Sequence, residues 1–161
     1  RIITSAVLLS LPLILFYGSI YVLILSWRQH RLSGQLSPRL GKVIHWAPRI
    51  AALVIIFFIT LFSLDVFTMG GTPLELLGGF LIHSLPSIIL IVLLIIAWRK
   101  PLAGVIAFLL AGVFFLRFAI IDLSLGHFLL FSGPFLLIAG LFYADWRWNQ
   151  PAPPASGSVP A

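Results

Sequence analysis

Six ionisable residues stand at or inside the ends of long apolar runs: Asp65, Glu75, His83, Arg117, Asp122 and His127. An ionisable group at membrane depth is unfavourable by about 2.5 to 3.5 kcal/mol on insertion scales, so each needs a partner or a task. Asp65, Glu75 and His83 together offer two carboxylates and an imidazole to a divalent cation, although nothing in their spacing matches a ligand motif. His83 and His127 fall on different apolar runs at similar depth. Neutral imidazole there suits axial ligation of a haem iron or of the magnesium of a chlorophyll. As a set the six could relay protons or admit a small solute, which in a chain this small requires an oligomer. Together they could build one polar pocket with Arg117 between Asp65 and Asp122 and the imidazoles of His83 and His127 at its edge; the structural alternative pairs Arg117 with Asp65 or lets it snorkel outward. His83 then bonds to Ser87 or to the carbonyl freed by Pro86. The expectation is no metal and no resident cofactor, with haem or chlorophyll as the alternative. The sequence holds no cysteine, which excludes thiolate metal sites and thiol redox chemistry.

The elements that must position these groups are helices in a bilayer. Apolar residues make up 61% of the 161 and charged residues 9%, against about 25% charged in soluble domains. Mean hydropathy is +1.16. A span needs roughly 20 apolar residues, and residues 4–27, 47–67, 76–98, 102–121 and 128–146 qualify. The fold class expected is all-α: an integral membrane bundle of five transmembrane helices in one domain, 1–148, followed by a Pro-, Ala-, Ser- and Gly-rich tail, 149–161. Eight of the ten Lys and Arg residues fall on one side of this threading: Arg28, Arg31, Arg39, Lys42, Arg49, Arg99, Lys100 and Arg147. By the positive-inside rule that side is cytoplasmic, with the N-terminus outside and the C-terminus inside. Trp27, Trp46, Trp98, Trp146 and Trp148 flank the same helix ends, as indole does at an interface. The net charge of +6 therefore belongs to membrane topology, and nucleic acid is not an expected partner.

Residues 28–46 read as a basic cytoplasmic loop broken by Gly34, Pro38 and Gly41. Arg28, Arg31, Arg39 and Lys42, with Arg49 beyond them, form its lipid- or partner-facing surface, where anionic lipid stabilises each cation by about 1 kcal/mol. In lipid, small residues mark helix seams. The run Ala103, Ala107, Ala111, with Gly104 and Gly112 beside it, makes the fourth span the expected central helix. Pro12, Pro86 and Pro134 lie inside spans and predict kinks. Tyr17 and Tyr21 share a helix face, read here as a hydrogen-bonded seam between helices.

Residues 47–146 also resemble a family of small uncharacterised prokaryotic membrane proteins. The resemblance rests on Arg49-Ile50 opening a span that ends Ser63-Leu64-Asp65-Val66-Phe67, on Ile82-His83-Ser84-Leu85-Pro86, on Ala97-Trp98 and on Ser132-Gly133-Pro134. It implies a four-helix core to which the first span, its loop and the tail are additions. It implies no activity, and it singles out Asp65 and His83. The function expected is that of a non-catalytic accessory or structural subunit of a larger assembly in a prokaryotic cytoplasmic membrane, with lipid and other membrane subunits, or its own copies, as partners. A transporter or channel using the outer polar cluster, and a haem- or chlorophyll-binding subunit, are the alternatives.

Overall fold

The computed structural model describes residues 2–68, 70–121, 123 and 125–149, leaving aside the side chains of residues 2–9, 119 and 127. These form helices α1 (Ile2–Ser33), α2 (Pro38–Ser63), α3 (Pro73–Arg99), α4 (Pro101–Ile121), α5 (Leu125–His127) and α6 (Gly133–Trp148). A 3-10 turn (Leu64–Thr68) follows α2, and a π-helical segment (Phe128–Ser132) joins α5 to α6. Five of the helical stretches are long and apolar enough to cross a membrane, in the places the hydropathy indicates. Apart from Asn149, the expected tail lies outside the described residues.

The stretch expected as a basic loop is almost wholly helical. Ser37 is the reason: its side chain accepts from the Leu40 amide at 3.4 Å and Pro38 takes the first helical position of α2, where a missing N–H and a fixed φ fit. Gln29 of α1 fastens this cap, its Oε1 accepting from the Ser37 amide at 3.1 Å and from the Ser37 hydroxyl at 3.2 Å. Only residues 34–37 turn the chain, through Gly34 at φ 72°, the left-handed position that glycine fills after a helix end. Arg28 and Arg31 therefore belong to α1, and Arg39, Lys42 and Arg49 to α2.

The centre of the bundle is α6, not α4. Residues Phe128–Trp148 contain the most enclosed of the five spans, 56% buried against 17% in α4, and α6 packs on α1, α2 and α4. Glycines let two of those approaches happen. A Cβ on Gly104 would sit 2.8 Å from the Phe142 ring, and one on Gly133 would sit 2.5 Å from Phe16. Along the α4–α6 seam the rings of Phe108 and Phe142 stack at 5.7 Å and those of Phe115 and Phe135 at 5.3 Å, spacings favourable for offset aromatic pairs. The Ser132 hydroxyl, fully buried, donates to the Gly112 carbonyl at 3.0 Å across the same seam.

Pro134 stands at the start of α6, directly after the π-helical segment. A proline there removes the bond to Leu130 and relaxes the turn before it, an identifiable cause of a local helix irregularity. Tyr17 and Tyr21 do not form a seam. They are 63% and 64% exposed, and α1 buries Ser19 and Ser26 instead.

Candidate functional site

The densest polar chemistry lies at the tryptophan-rich end of the bundle, where α2, α3 and α6 meet. Arg49 is 1% exposed and Asp145 5% exposed. Arg49 Nη1 donates to Asp145 Oδ2 at 2.9 Å and also to the His45 carbonyl, while Nη2 donates to the Trp98 carbonyl at 3.4 Å. The second carboxylate oxygen accepts from Asn149 Nδ2 at 3.1 Å and from His45 Nδ1 at 3.3 Å. Asn149 Nδ2 also donates to the Gly41 carbonyl at 3.2 Å. The guanidinium carbon lies 6.0 Å from the Trp98 ring centroid and 5.7 Å from that of Phe142, so two aromatic faces share the cation.

Each partner is supplied by a helix that the sequence sets at this depth. On α2 the residues Ile44, Pro48, Ala52 and Ile55 are buried, and Arg49 shares their stripe. Trp98 belongs to the last turn of α3, whose terminal carbonyls have no acceptor role within the helix; Arg49 takes one of them. Asp145 sits in the last turn of α6, where the helix dipole disfavours an anion, and Arg49 is the cation that meets it there at 2.9 Å. A buried pair of this kind is tolerated when geometry is good and the remaining lone pairs are satisfied, and here both carboxylate oxygens are engaged. The arrangement ties together three helices and the residue following α6. It leaves no free nucleophile or base on Asp145 or Arg49.

This corrects the place given to Arg49. It does not face lipid or a partner, because a cation flanked by apolar neighbours one helical turn apart is drawn into the bundle once an acid meets it there. Asp145, Asn149 and His45 were not singled out from the sequence. Asp145 is the one acid at the cation-rich end, which was the available signal.

The residues expected to form the outer polar cluster are arranged differently. Asp65, Glu75, His83 and Arg117 are all exposed. Glu75 closes a capping box with Thr72: Glu75 Oε2 accepts from the Thr72 amide at 2.9 Å, and the Thr72 hydroxyl accepts from the Glu75 amide at 3.4 Å. Asp65 Oδ1 accepts from the Thr68 hydroxyl at 3.1 Å. His83 Nδ1 donates to the Gly79 carbonyl at 2.9 Å, one turn back on its own helix, and not to Ser87. Arg117 lies over the Phe118 ring at 5.4 Å, and no ion pair joins it to Asp65. Asp122 and the side chain of His127 lie outside the described residues. Among the described residues no three His, Asp or Glu side chains converge as a metal site would require. Arg117→Leu is accordingly expected to change stability by no more than about 0.5 kcal/mol, the range for exposed substitutions; thermal denaturation in detergent measures it.

A third feature is a long crevice between α3 and α4, with a volume of about 630 Å³ and an apolar lining that includes Pro86, Leu93, Ala103, Ile106, Ala107 and Leu110. The alanines expected to pack a seam thus line the crevice, while Gly104 and Gly112, one step round α4, make the contact with α6.

No curated protein and no solved structure matches the chain significantly. A family model matches residues 37–154, beginning at the cap of α2 and so covering α2 to α6 with the whole Arg49–Asp145 network. On that match the chain belongs to the family described as a domain of unknown function, DUF7670.

Proposed function

We propose that this chain is a non-catalytic subunit of a larger assembly in a prokaryotic cytoplasmic membrane. In this reading the end of the bundle carrying Arg28, Arg31, Lys42, Arg99 and Arg147 faces the cytoplasm, in keeping with the excess of cations and tryptophans there. The α3–α4 crevice seats a transmembrane helix of another subunit. The observation that carries the proposal is that crevice. Its lining includes Ala103, Ala107 and Ala111, and in lipid a helix gains most where small side chains let two backbones come close. The buried charges support the reading from the other side, since Arg49 and Asp145 pair with each other within the chain and serve its architecture.

The test is isolation of the protein from its native membranes in a mild detergent, beside a variant carrying Ala103→Phe and Leu110→Trp. Ala103 is only partly buried and Leu110 is 65% exposed, so the variant is expected to fold. The wild type should bring one membrane protein in stoichiometric amount, and the variant should lose it. A chain that comes alone, or a partner that tolerates the filled crevice, would refute the proposal.

A further inference from the structure

Where the α1–α2 turn meets the end of α6, a crevice of about 260 Å³ opens among Ser37, Gly41, Lys42, His45, Trp46 and Asn149. We infer that it is a binding site for the phosphate of an anionic phospholipid headgroup. Lys42 is exposed and forms no ion pair among the described residues, so its charge is available. His45 has its Nδ1–H committed to Asp145 at 3.3 Å. This fixes the ring and leaves Nε2 to accept from a headgroup hydroxyl, with Lys42 as the donor to the phosphate; the His45 side chain is 44% exposed.

The acid behind His45 does not repel an anion, because Arg49 neutralises Asp145 at 2.9 Å. Among the described residues the titratable groups around the crevice are thus Lys42, His45 and the balanced Arg49–Asp145 pair, with Arg39 one turn away on α2, and their sum is positive. The crevice also lies against the N-terminus of α2, whose dipole favours negative charge.

Lipid is the source of the phosphate because of Trp46. It lines the crevice, is half exposed and meets the Trp98 ring edge-on at 6.0 Å. Such indoles sit at headgroup depth, where the phosphates of a bilayer lie and where cations attract anionic lipid.

The experiment titrates the detergent-solubilised full chain with short-chain phosphatidylglycerol, short-chain phosphatidylcholine or inorganic phosphate, reading tryptophan fluorescence and melting temperature. Phosphatidylglycerol should saturate and raise the melting temperature, with phosphatidylcholine and inorganic phosphate each at least about tenfold weaker. Lys42→Gln, whose melting temperature without lipid should equal that of the wild type, should weaken phosphatidylglycerol binding by about tenfold, whereas Arg31→Gln, an exposed cation outside the crevice, should change it by less than about twofold. Equal binding of the two lipids, equal loss in both variants, or inorganic phosphate binding as tightly as phosphatidylglycerol would overturn the assignment.

Discussion

Arg49→Met is expected to lower the stability of the bundle by about 3 to 5 kcal/mol, the range for breaking a buried ion pair from one side. The methionine fills much of the volume, so the loss is electrostatic. Asp145, 3% exposed at its side chain, keeps a carboxylate near the end of α6 with only Asn149 and His45 to stabilise it. The Trp98 carbonyl at the end of α3 loses its donor as well. Asp145→Leu should be nearly as harmful, because it strands the guanidinium among Trp98, Phe142 and the helix carbonyls. Combining the two should recover most of the loss, since replacing both members of such a pair by apolar residues is often neutral or stabilising. A double-mutant cycle read by reversible unfolding in mixed micelles measures the coupling. Additive losses would show that the two side chains contribute independently.

The second large effect is expected at Gly104. Its missing Cβ is the space that the Phe142 ring occupies, at 2.8 Å from the ring carbons. Phe142 cannot swing away: it is fully buried, stacks on Phe108 and carries the Arg49 guanidinium on its face. Gly104→Leu therefore pushes α4 from α6. Overpacking of this kind commonly destabilises by about 1 to 3 kcal/mol, and more when the neighbour is held. The expected readout is a lower unfolding midpoint together with a weakened Arg49–Asp145 coupling, because Phe142 serves both seams. A Gly104→Leu protein with wild-type stability would show that the helices are free to separate there.

How much of this was legible in the residues depends on which physical signal carries each feature. The five spans follow from apolar length alone, and the structure has five such helices. The turn at residues 34–37 was hidden because Gly34, Pro38 and Gly41 read as loop punctuation. Position gives them other meanings: Pro38 opens a helix behind the Ser37 cap, and Gly41 leaves room for the Asn149 side chain, whose Oδ1 would lie 2.9 Å from a Cβ. Glu75 could have been recognised as half of a capping box, since Thr72 precedes it by three residues; grouping it with Asp65 by depth ignored what each helix end needs locally. Depth alone sets Arg117 beside the acids, whereas its direction around α4 lays it over the Phe118 ring. The Arg49–Asp145 pair joins residues 96 apart in sequence, and only the packing of α2 on α6 reveals it. The helical period on α2 did hold a clue, since Arg49 falls among Ile44, Pro48, Ala52 and Ile55, all buried.

The small residues of α4 show the same limit. Five of them in one span identify a helix that others approach closely, but not which face is filled from within the chain. Gly104 and Gly112 meet α6, while Ala103, Ala107 and Ala111 line the open crevice. The proposed role depends on that division.

The most direct test of that role is site-specific photocrosslinking in native membranes, with benzoylphenylalanine placed at Ile106 or Leu110 in the crevice and at Ile14 or Leu53 elsewhere on the apolar surface. All four positions are substantially exposed. A discrete adduct to a different membrane protein from Ile106 and Leu110, and none from Ile14 and Leu53, is the predicted result. Adducts only to lipid, adducts only to a second copy of the chain, or the same products from all four positions would contradict it.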